Sequence, residues 1–210
     1  MTGQSRIPCG DAAPPAPDAH TTHITTMETG VDKAALRKAL AARRGALDPR
    51  QKAAWDAAIG ARVLAWWGAE MADSSPSIGV YWPLRGEPDL SSAYAALAAS
   101  GARLALPVVL ARGAALGFAA WTPGEAMVKD AMGVAVPANL RMVARPPALL
   151  IPCLGFNDQG YRLGYGGGYY DRTLASPPRP ATAGVAYACL QAAFAGEAHD
   201  VALDVVLTEV

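Results

Sequence analysis

The run Leu149-Leu-Ile-Pro-Cys-Leu-Gly-Phe-Asn-Asp-Gln-Gly-Tyr-Arg-Leu-Gly-Tyr-Gly-Gly-Gly-Tyr-Tyr-Asp-Arg-Thr-Leu174 carries the deciding pattern. An apolar segment leads through a turn at Asn157-Asp-Gln-Gly160 into the glycine-dense stretch Gly164 to Gly168, and then into a predicted helix over 168–176. Strand, turn, loop and helix in that order make an α/β unit and lay out an anion site. Glycines reach positive φ and carry no Cβ, so successive backbone N–H groups converge on phosphate oxygens. A following helix adds its positive N-terminal end.

Glycine density alone is a weak signal, because a flexible surface loop also carries it. Arg162 before the run and Tyr169, Tyr170 and Asp171 after it argue for a site, because a linker has no use for a guanidinium, two aromatics and a carboxylate packed so closely. An arginine forks onto phosphate oxygens, and an aspartate holds a magnesium ion that bridges them. The stretch Arg162, Leu163, Gly164, Tyr165, Gly166, Gly167, Gly168, Tyr169, Tyr170 therefore reads as a cradle for a nucleotide triphosphate, with Asp171 placed to hold Mg2+. No Gly-Lys-Ser/Thr follows, so it is no Walker loop, and the G-x-G-x-x-G spacing of a dinucleotide site is absent.

The run Pro152-x-x-Gly-Phe156 followed by Gly160-Tyr-Arg-Leu-Gly-Tyr-Gly-Gly-Gly-Tyr-Tyr-Asp171 resembles the signature of the 5-formyltetrahydrofolate cyclo-ligases, also called methenyltetrahydrofolate synthetases. Two further motifs carry the same resemblance. Lys33-Ala-Ala-Leu-Arg37 matches the family's N-terminal K-x-x-L-R element, and His199-Asp200 to Glu209 matches its closing H-D-x-x-x-D-x-V-x-T-E pattern. Matching elements run in order from residue 30 to 210. Departures are the extra N-terminal tail and Pro88 after Glu87.

A chain of 210 residues suits one α/β domain, here 31–210. Strands alternating with helices imply a mostly parallel sheet covered on both faces. The resemblance implies a three-layer α/β/α fold similar to the sugar-phosphate isomerase and CoA-transferase group. Eighteen basic and eighteen acidic side chains balance, so the overall field attracts neither nucleic acid nor an anionic membrane. No apolar run reaches the roughly 18 residues of a membrane span. Three separated cysteines argue against a disulfide framework or a zinc site and fit a reducing cytoplasm; Cys153 reads as a small buried hydrophobe. Residues 1–30, rich in Pro, Ala and Thr, are expected to be disordered, with Met27 a second candidate start.

Residues 32–47 are predicted helical, capped by Asp32. Leu36, Leu40 and Leu47 share one line with Arg43, which should need a buried partner; Lys33, Arg37 and Arg44 flank it. A snorkelling basic edge explains such a flank, and Arg44 is expected at the surface. The resemblance instead gives Lys33 and Arg37 to the nucleotide. Asp48-Pro49 opens a second helix to about Gly68, whose apolar surface comprises Ala53, Trp55, Ala57, Ile59, Leu64 and Trp66.

Ser77 to Trp82 reads as a doubly covered parallel strand. Ligands bind beyond the carboxyl ends of such strands, so Glu87 in the next loop is placed either to meet one or to be a plain solvated or capping residue. The resemblance assigns Glu87 to the folate, with Tyr81, Trp82 and Tyr169 bordering the same pocket. Asp89 caps a helix over 90–100; strands follow at 103–109 and 115–121, and 125–146 reads as loop-rich. Phe118 and Trp121 stack on a flat ring or simply pack the core. Further strands are expected at 181–187 and in the alternating Val201, Leu203, Val205 and Leu207. The resemblance makes Asp200 a second Mg2+ contact.

The function implied is ATP-dependent conversion of 5-formyltetrahydrofolate, polyglutamylated or not, to 5,10-methenyltetrahydrofolate with release of ADP and phosphate. The formyl oxygen is phosphorylated first, because an amide oxygen leaves poorly. Lys33 and Arg162 are the expected catalytic residues, since phosphoryl transfer needs positioning and charge more than a nucleophile. A cytoplasmic monomer is expected. The competing alternatives are a non-catalytic ATP- or folate-binding module on the same fold and a kinase for another small acceptor.

Overall fold

The apolar run ahead of the turn lies at the centre of the sheet. The computed structural model describes residues 31–70 and 77–210; the expected disordered tail, 1–30, lies outside the described residues. Helix α1 (Lys33–Gly45) starts at Asp32, whose carboxylate accepts from the Ala34 amide at 2.8 Å. Helix α2 (Pro49–Glu70) starts at Asp48, which accepts from the amides of Arg50 and Gln51 at 3.0 Å each. Both carboxylates satisfy N–H groups that a first helical turn leaves unpaired. The chain continues through β1 (Ser77–Gly79), α3 (Ser91–Ala99), β2 (Arg103–Val108), β3 (Gly117–Trp121), β4 (Met127–Lys129), β5 (Ala135–Pro137) and β6 (Met142–Val143). It closes with β7 (Ala148–Pro152), β8 (Gly155–Phe156), β9 (Arg162–Leu163), α4 (Tyr169–Ala175), β10 (Ala181–Val185), a 3-10 turn (Ala188–Leu190) and β11 (Val205–Leu207).

Seven strands form one sheet in the order β11-β10-β7-β1-β2-β3-β6. β11, β10, β7, β1 and β2 run parallel, and β3 and β6 extend the sheet antiparallel. β7 shows why its sequence is apolar throughout. Leu150 joins the cluster on the side of α1, α2 and α3, with Ile59, Val63, Trp67 and Leu97. Its neighbours Leu149 and Ile151 join the opposite cluster with Phe118, Phe156 and Leu174 of α4. A strand covered on both faces has no solvent side for polar residues, and the result is the expected three-layer α/β/α arrangement. No helix among the described residues is long and apolar enough to cross a membrane.

Several expectations are corrected. On α1 the buried stripe runs Leu36, Leu40, Arg44 at i, i+4, i+8, so Arg44 is buried and Arg43 is exposed, the reverse of the predicted assignment. On α2 the core positions are Ile59, Val63 and Trp67, again four apart, while Ala53 and Ala57 face solvent. Gly60 lets α2 approach α3 closely, since a Cβ there would stand 3.3 Å from that of Ala93. The stretch 125–146 contains the β4–β5 hairpin and the edge strand β6. At the C-terminus only 205–207 pair, on β10; Val201 and Leu203 precede the strand and pack as loop residues.

Candidate active site

The parallel neighbours β1 and β7 end on the same edge of the sheet, and the loops beyond their carboxyl ends meet there. After β7 the chain makes the β8–β9 hairpin, with Gly155 opposite Leu163 and Phe156 opposite Arg162. Its turn is held by the buried Asn157. The Asn157 Oδ1 accepts from the amides of Gln159 and Tyr161 at 3.0 and 2.9 Å, and Nδ2 donates to the Phe194 carbonyl at 2.9 Å. Gly160 closes the turn at φ +77°, where a Cβ would stand 2.9 Å from the Leu203 carbonyl oxygen.

The hairpin delivers the chain to residues 164–168, where Gly166 and Gly168 take φ of +88° and +61°. Arg37 of α1 lies against this loop. Its Nε donates to the Gly164 carbonyl at 2.9 Å, and a Cβ on Gly166 would come within 3.9 Å of its Cζ. The two terminal nitrogens of Arg37 have no partner among the described residues. One turn earlier on α1, Lys33 Nζ pairs with Glu197 at 2.8 Å and Asp200 at 3.1 Å. Partial burial alone would lower the Lys33 pKa, but the two carboxylates outweigh it and the ammonium is held above its usual value. For Asp200 partial burial pushes upward, and the Glu197 amide together with Lys33 brings the carboxyl below the ordinary range.

Arg162 departs from its expected place. Its side chain is only 5% exposed, with Nη2 donating to Asp171 Oδ1 at 2.6 Å and Nη1 to the Val201 carbonyl at 2.9 Å. The guanidinium is thus turned inward onto protein groups, whereas the sequence reading assigned it to a triphosphate. Asp171 Oδ1 also accepts from the Val201 amide at 3.2 Å, bringing Asp171 next to the segment that carries Asp200. Asp171 Oδ2 has no partner among the described residues, and Asp200 Oδ1 faces His199 Nε2 at 3.7 Å. Among the described residues no three His, Cys, Asp or Glu side chains form a metal cluster. Magnesium nevertheless uses only one or two carboxylates when phosphates and waters complete its shell, and two neighbouring aspartates with an oxygen each to spare fit that need.

The loop after β1 brings Glu87 to the same place. Arg85 and Gly86 turn the chain at φ +51° and +79°, and Glu87 is buried, 3% exposed. Its Oε2 accepts from the Leu84 amide and its Oε1 from the Tyr165 hydroxyl, both at 2.9 Å. Burial pushes the Glu87 carboxyl up, against the pull of those donors and of Arg44 and Arg85. Tyr165 is flanked by two guanidinium groups, Arg44 at 5.7 Å and Arg85 at 5.2 Å from the ring centre. Sequence reasoning missed Arg44, Arg85 and Glu197. Arg44 was findable from the i, i+4, i+8 spacing with Leu36 and Leu40; Arg85 and Glu197 carried no sequence signal.

Trp82 is half-buried and meets Trp121 edge to face at 6.0 Å. Tyr81, expected at the pocket edge, instead lies in the core, with its hydroxyl donating to the Pro88 carbonyl at 2.8 Å and its ring against Tyr94. Phe118 and Trp121 pack in the core on opposite faces of the sheet. Tyr169 is half-buried, its ring under the Arg172 guanidinium. Cys153 is buried, its thiol pushed up to about 12 by burial, which suppresses the thiolate. α4 has seven residues, so the expected dipole contribution is short, and Arg172 within it donates back to the Gly167 carbonyl.

The model of the 5-formyltetrahydrofolate cyclo-ligase family matches residues 29–209. A protein of Escherichia coli (strain K12) named 5-formyltetrahydrofolate cyclo-ligase is 30% identical over 151 residues, covering 70% of this chain and 81% of its own. The fold is similar to that of a 5,10-methenyltetrahydrofolate synthetase from Mycoplasma pneumoniae, with a TM-score of 0.67 at 27% identity, over 85% of this chain and 99% of that one. A 5,10-methenyltetrahydrofolate synthetase from Aquifex aeolicus gives a TM-score of 0.70 at 25% identity, over 84% and 89% of the two chains.

Proposed function

The chain belongs to the 5-formyltetrahydrofolate cyclo-ligase family, and from that premise we propose that it converts 5-formyltetrahydrofolate to 5,10-methenyltetrahydrofolate with consumption of ATP. The formyl oxygen attacks the γ-phosphorus and ADP leaves. The nitrogen at position 10 then adds to the activated carbon, loses its proton, and phosphate departs. Neither step requires a protein nucleophile, which accords with a site whose one buried thiol is inert.

One observation carries the assignment: the Tyr165 hydroxyl of the glycine loop reaches the Glu87 carboxylate at 2.9 Å, so a nucleotide seat and a folate seat would share a wall. Transfer between two bound substrates demands that adjacency. Arg37 and Lys33 would take the triphosphate, with Gly164, Tyr165, Gly166, Gly167 and Gly168 offering backbone donors. Tyr169 and Tyr170 would wall the seat, whereas Leu163, expected there too, is buried in the core beneath it. Arg162 would serve by holding Asp171 in place instead of touching phosphate. Asp171 and Asp200 would hold Mg2+, which would supply charge neutralisation for the phosphoryl transfer. Lys33 would exchange its present carboxylate partners for phosphate oxygens. Glu87, with Trp82 and Tyr169 beside it, would receive the folate.

We further propose a cytoplasmic monomer acting on small molecules; Cys153 and Cys189 are unpaired, which fits a reducing compartment. The test is the rise of methenyltetrahydrofolate absorbance with ATP, magnesium and 5-formyltetrahydrofolate. Absence of that signal with intact ATP and folate binding would favour the non-catalytic module, and a phosphorylated product without it would favour a kinase.

A further inference from the structure

Arg44 is a buried cation whose surroundings do not account for it. It is 3% exposed, and its Nε and Nη1 have no hydrogen-bond partner among the described residues. Among the described residues its one hydrogen bond runs from Nη2 to the Tyr165 hydroxyl at 2.5 Å. A buried guanidinium with most donors unmet is costly, so the one bond it makes is where its purpose should be sought. Arginine donates only and does not deprotonate in proteins. With Arg44 donating to the phenolic oxygen, the phenolic proton must point elsewhere, and it points at Glu87 Oε1, 2.9 Å away. The chain of donation therefore has one direction, guanidinium to phenol to carboxylate.

We propose that Arg44 is a positioning residue for Glu87, acting through Tyr165: the guanidinium fixes the direction of the phenolic proton, and the phenol ties the glycine loop to the Glu87 side chain. Three segments far apart in sequence, α1, the glycine loop and the loop after β1, are joined by these two bonds. Burial pushes the Glu87 carboxyl up, and the donors and cations around it pull the other way. Both of its oxygens accept, one from Tyr165 and one from the Leu84 amide. The titratable groups whose electrostatics couple to it are Arg44 of α1, Tyr165 of the glycine loop, Arg85 of its own loop, Tyr81 beyond β1, Tyr94 of α3, Cys153 beyond β7 and Tyr170 of α4. Two of these are cations, and Arg44 is the one bonded to the phenol that Glu87 accepts from. The link itself is independent of the reaction; its part in turnover rests on the cyclo-ligase assignment.

The experiment is a carbon-13 carboxyl NMR titration of Glu87 in the full chain, the resonance assigned by its loss in Glu87→Gln. Removing a cation and a donor raises a carboxyl pKa, so the midpoint in Arg44→Met should rise by on the order of one pH unit. Tyr165→Phe should move it the same way, and Arg44→Lys, which keeps charge and donor, should return it most of the way. The acid limb of kcat/KM for 5-formyltetrahydrofolate should move with the midpoint. If Arg44→Met does not fold, Tyr165→Phe decides, because Tyr165 is 44% exposed and its ring can be kept. An unmoved midpoint in the folded variants would overturn the link. Failure of the wild-type protein to cyclise folate would instead overturn the functional assignment and leave the titration to decide Arg44.

Discussion

At the scale of single residues the site contains two arginines of the same apparent promise and opposite use. Arg162 is nearly enclosed and spends its donors on Asp171 and the Val201 carbonyl, whereas Arg37 gives one N–H to Gly164 and keeps two terminal nitrogens beside the glycine loop. Arg162→Met should therefore leave Asp171 without its cation and cost about 3 kcal/mol, read as a lowered urea midpoint. Arg37→Met should change the midpoint little and raise the KM for ATP by at least about tenfold, the loss of one charge-assisted contact of roughly 1.5–3 kcal/mol. Loss of ATP affinity at unchanged stability in Arg162→Met would return that guanidinium to the phosphates. Glu87→Gln, by contrast, should raise the KM for 5-formyltetrahydrofolate and spare that for ATP; a change confined to ATP would remove Glu87 from the folate. The residue types at these places were legible in the sequence, and the four-residue spacing of Leu36, Leu40 and Arg44 marks the inner side of α1, but the partners each one meets were not legible. Whether a basic residue flanking a helical stripe points inward is set by what the helix meets. Arg44 meets Tyr165 and Arg43 meets water, and no local pattern at 43–44 encodes that partner.

At the scale of elements, the sequence was clearest where one local rule dominates. β7 is apolar at each central position, the turn at 157–160 carries Asn and Gly in the places its bonds require, and Asp32 and Asp48 stand at the helix starts they cap. Legibility failed for elements of two or three residues. β4, β5, β6 and β11 are too short to show a period, and pairing with distant strands creates them. The alternation in 201–207 suggested a longer strand, yet at 203 the chain is drawn to the hairpin turn, where the Leu203 amide donates to the Gly160 carbonyl at 2.9 Å. That contact makes Gly160 the test of the element. Gly160→Ala meets two penalties, a left-handed φ worth about 1 kcal/mol and a Cβ pressed on backbone oxygen that cannot step aside. The variant should lose on the order of 2–4 kcal/mol in chemical denaturation. Gly164→Ala, with nothing within 4 Å and no positive φ, should lose far less; equal losses would mean the turn does not anchor the loop.

At the scale of the whole molecule, the first described helix is tied to the last segment of the chain through Lys33, Glu197 and Asp200. The family match starts at residue 29, just before this tie, so deletion of residues 1–26 should leave cyclisation unchanged in the absorbance assay. The pH dependence of the tie follows from the two shifts. Asp200 is depressed below its unfolded value of 3.8, so its contribution is complete above that value and is lost as pH falls through the depressed folded value. Lys33 is raised above 10.5, so its contribution is complete below that value and is lost as pH rises beyond it. The stabilising window of the pair thus runs from about 4 to about 10. Lys33 and Asp200 are both mostly shielded, and their pair should be worth on the order of 1 kcal/mol within it. Lys33→Met should accordingly be less stable than wild type by a constant amount across that window, with the gap closing as pH falls through the depressed folded value of Asp200 and its carboxyl becomes protonated in both states. The same variant separates structure from chemistry. If Lys33 leaves Asp200 for the triphosphate, magnesium-ATP should stabilise the wild type more than Lys33→Met, in proportion to the difference in affinity. An equal rise in melting temperature for the two proteins would confine Lys33 to joining the ends of the chain.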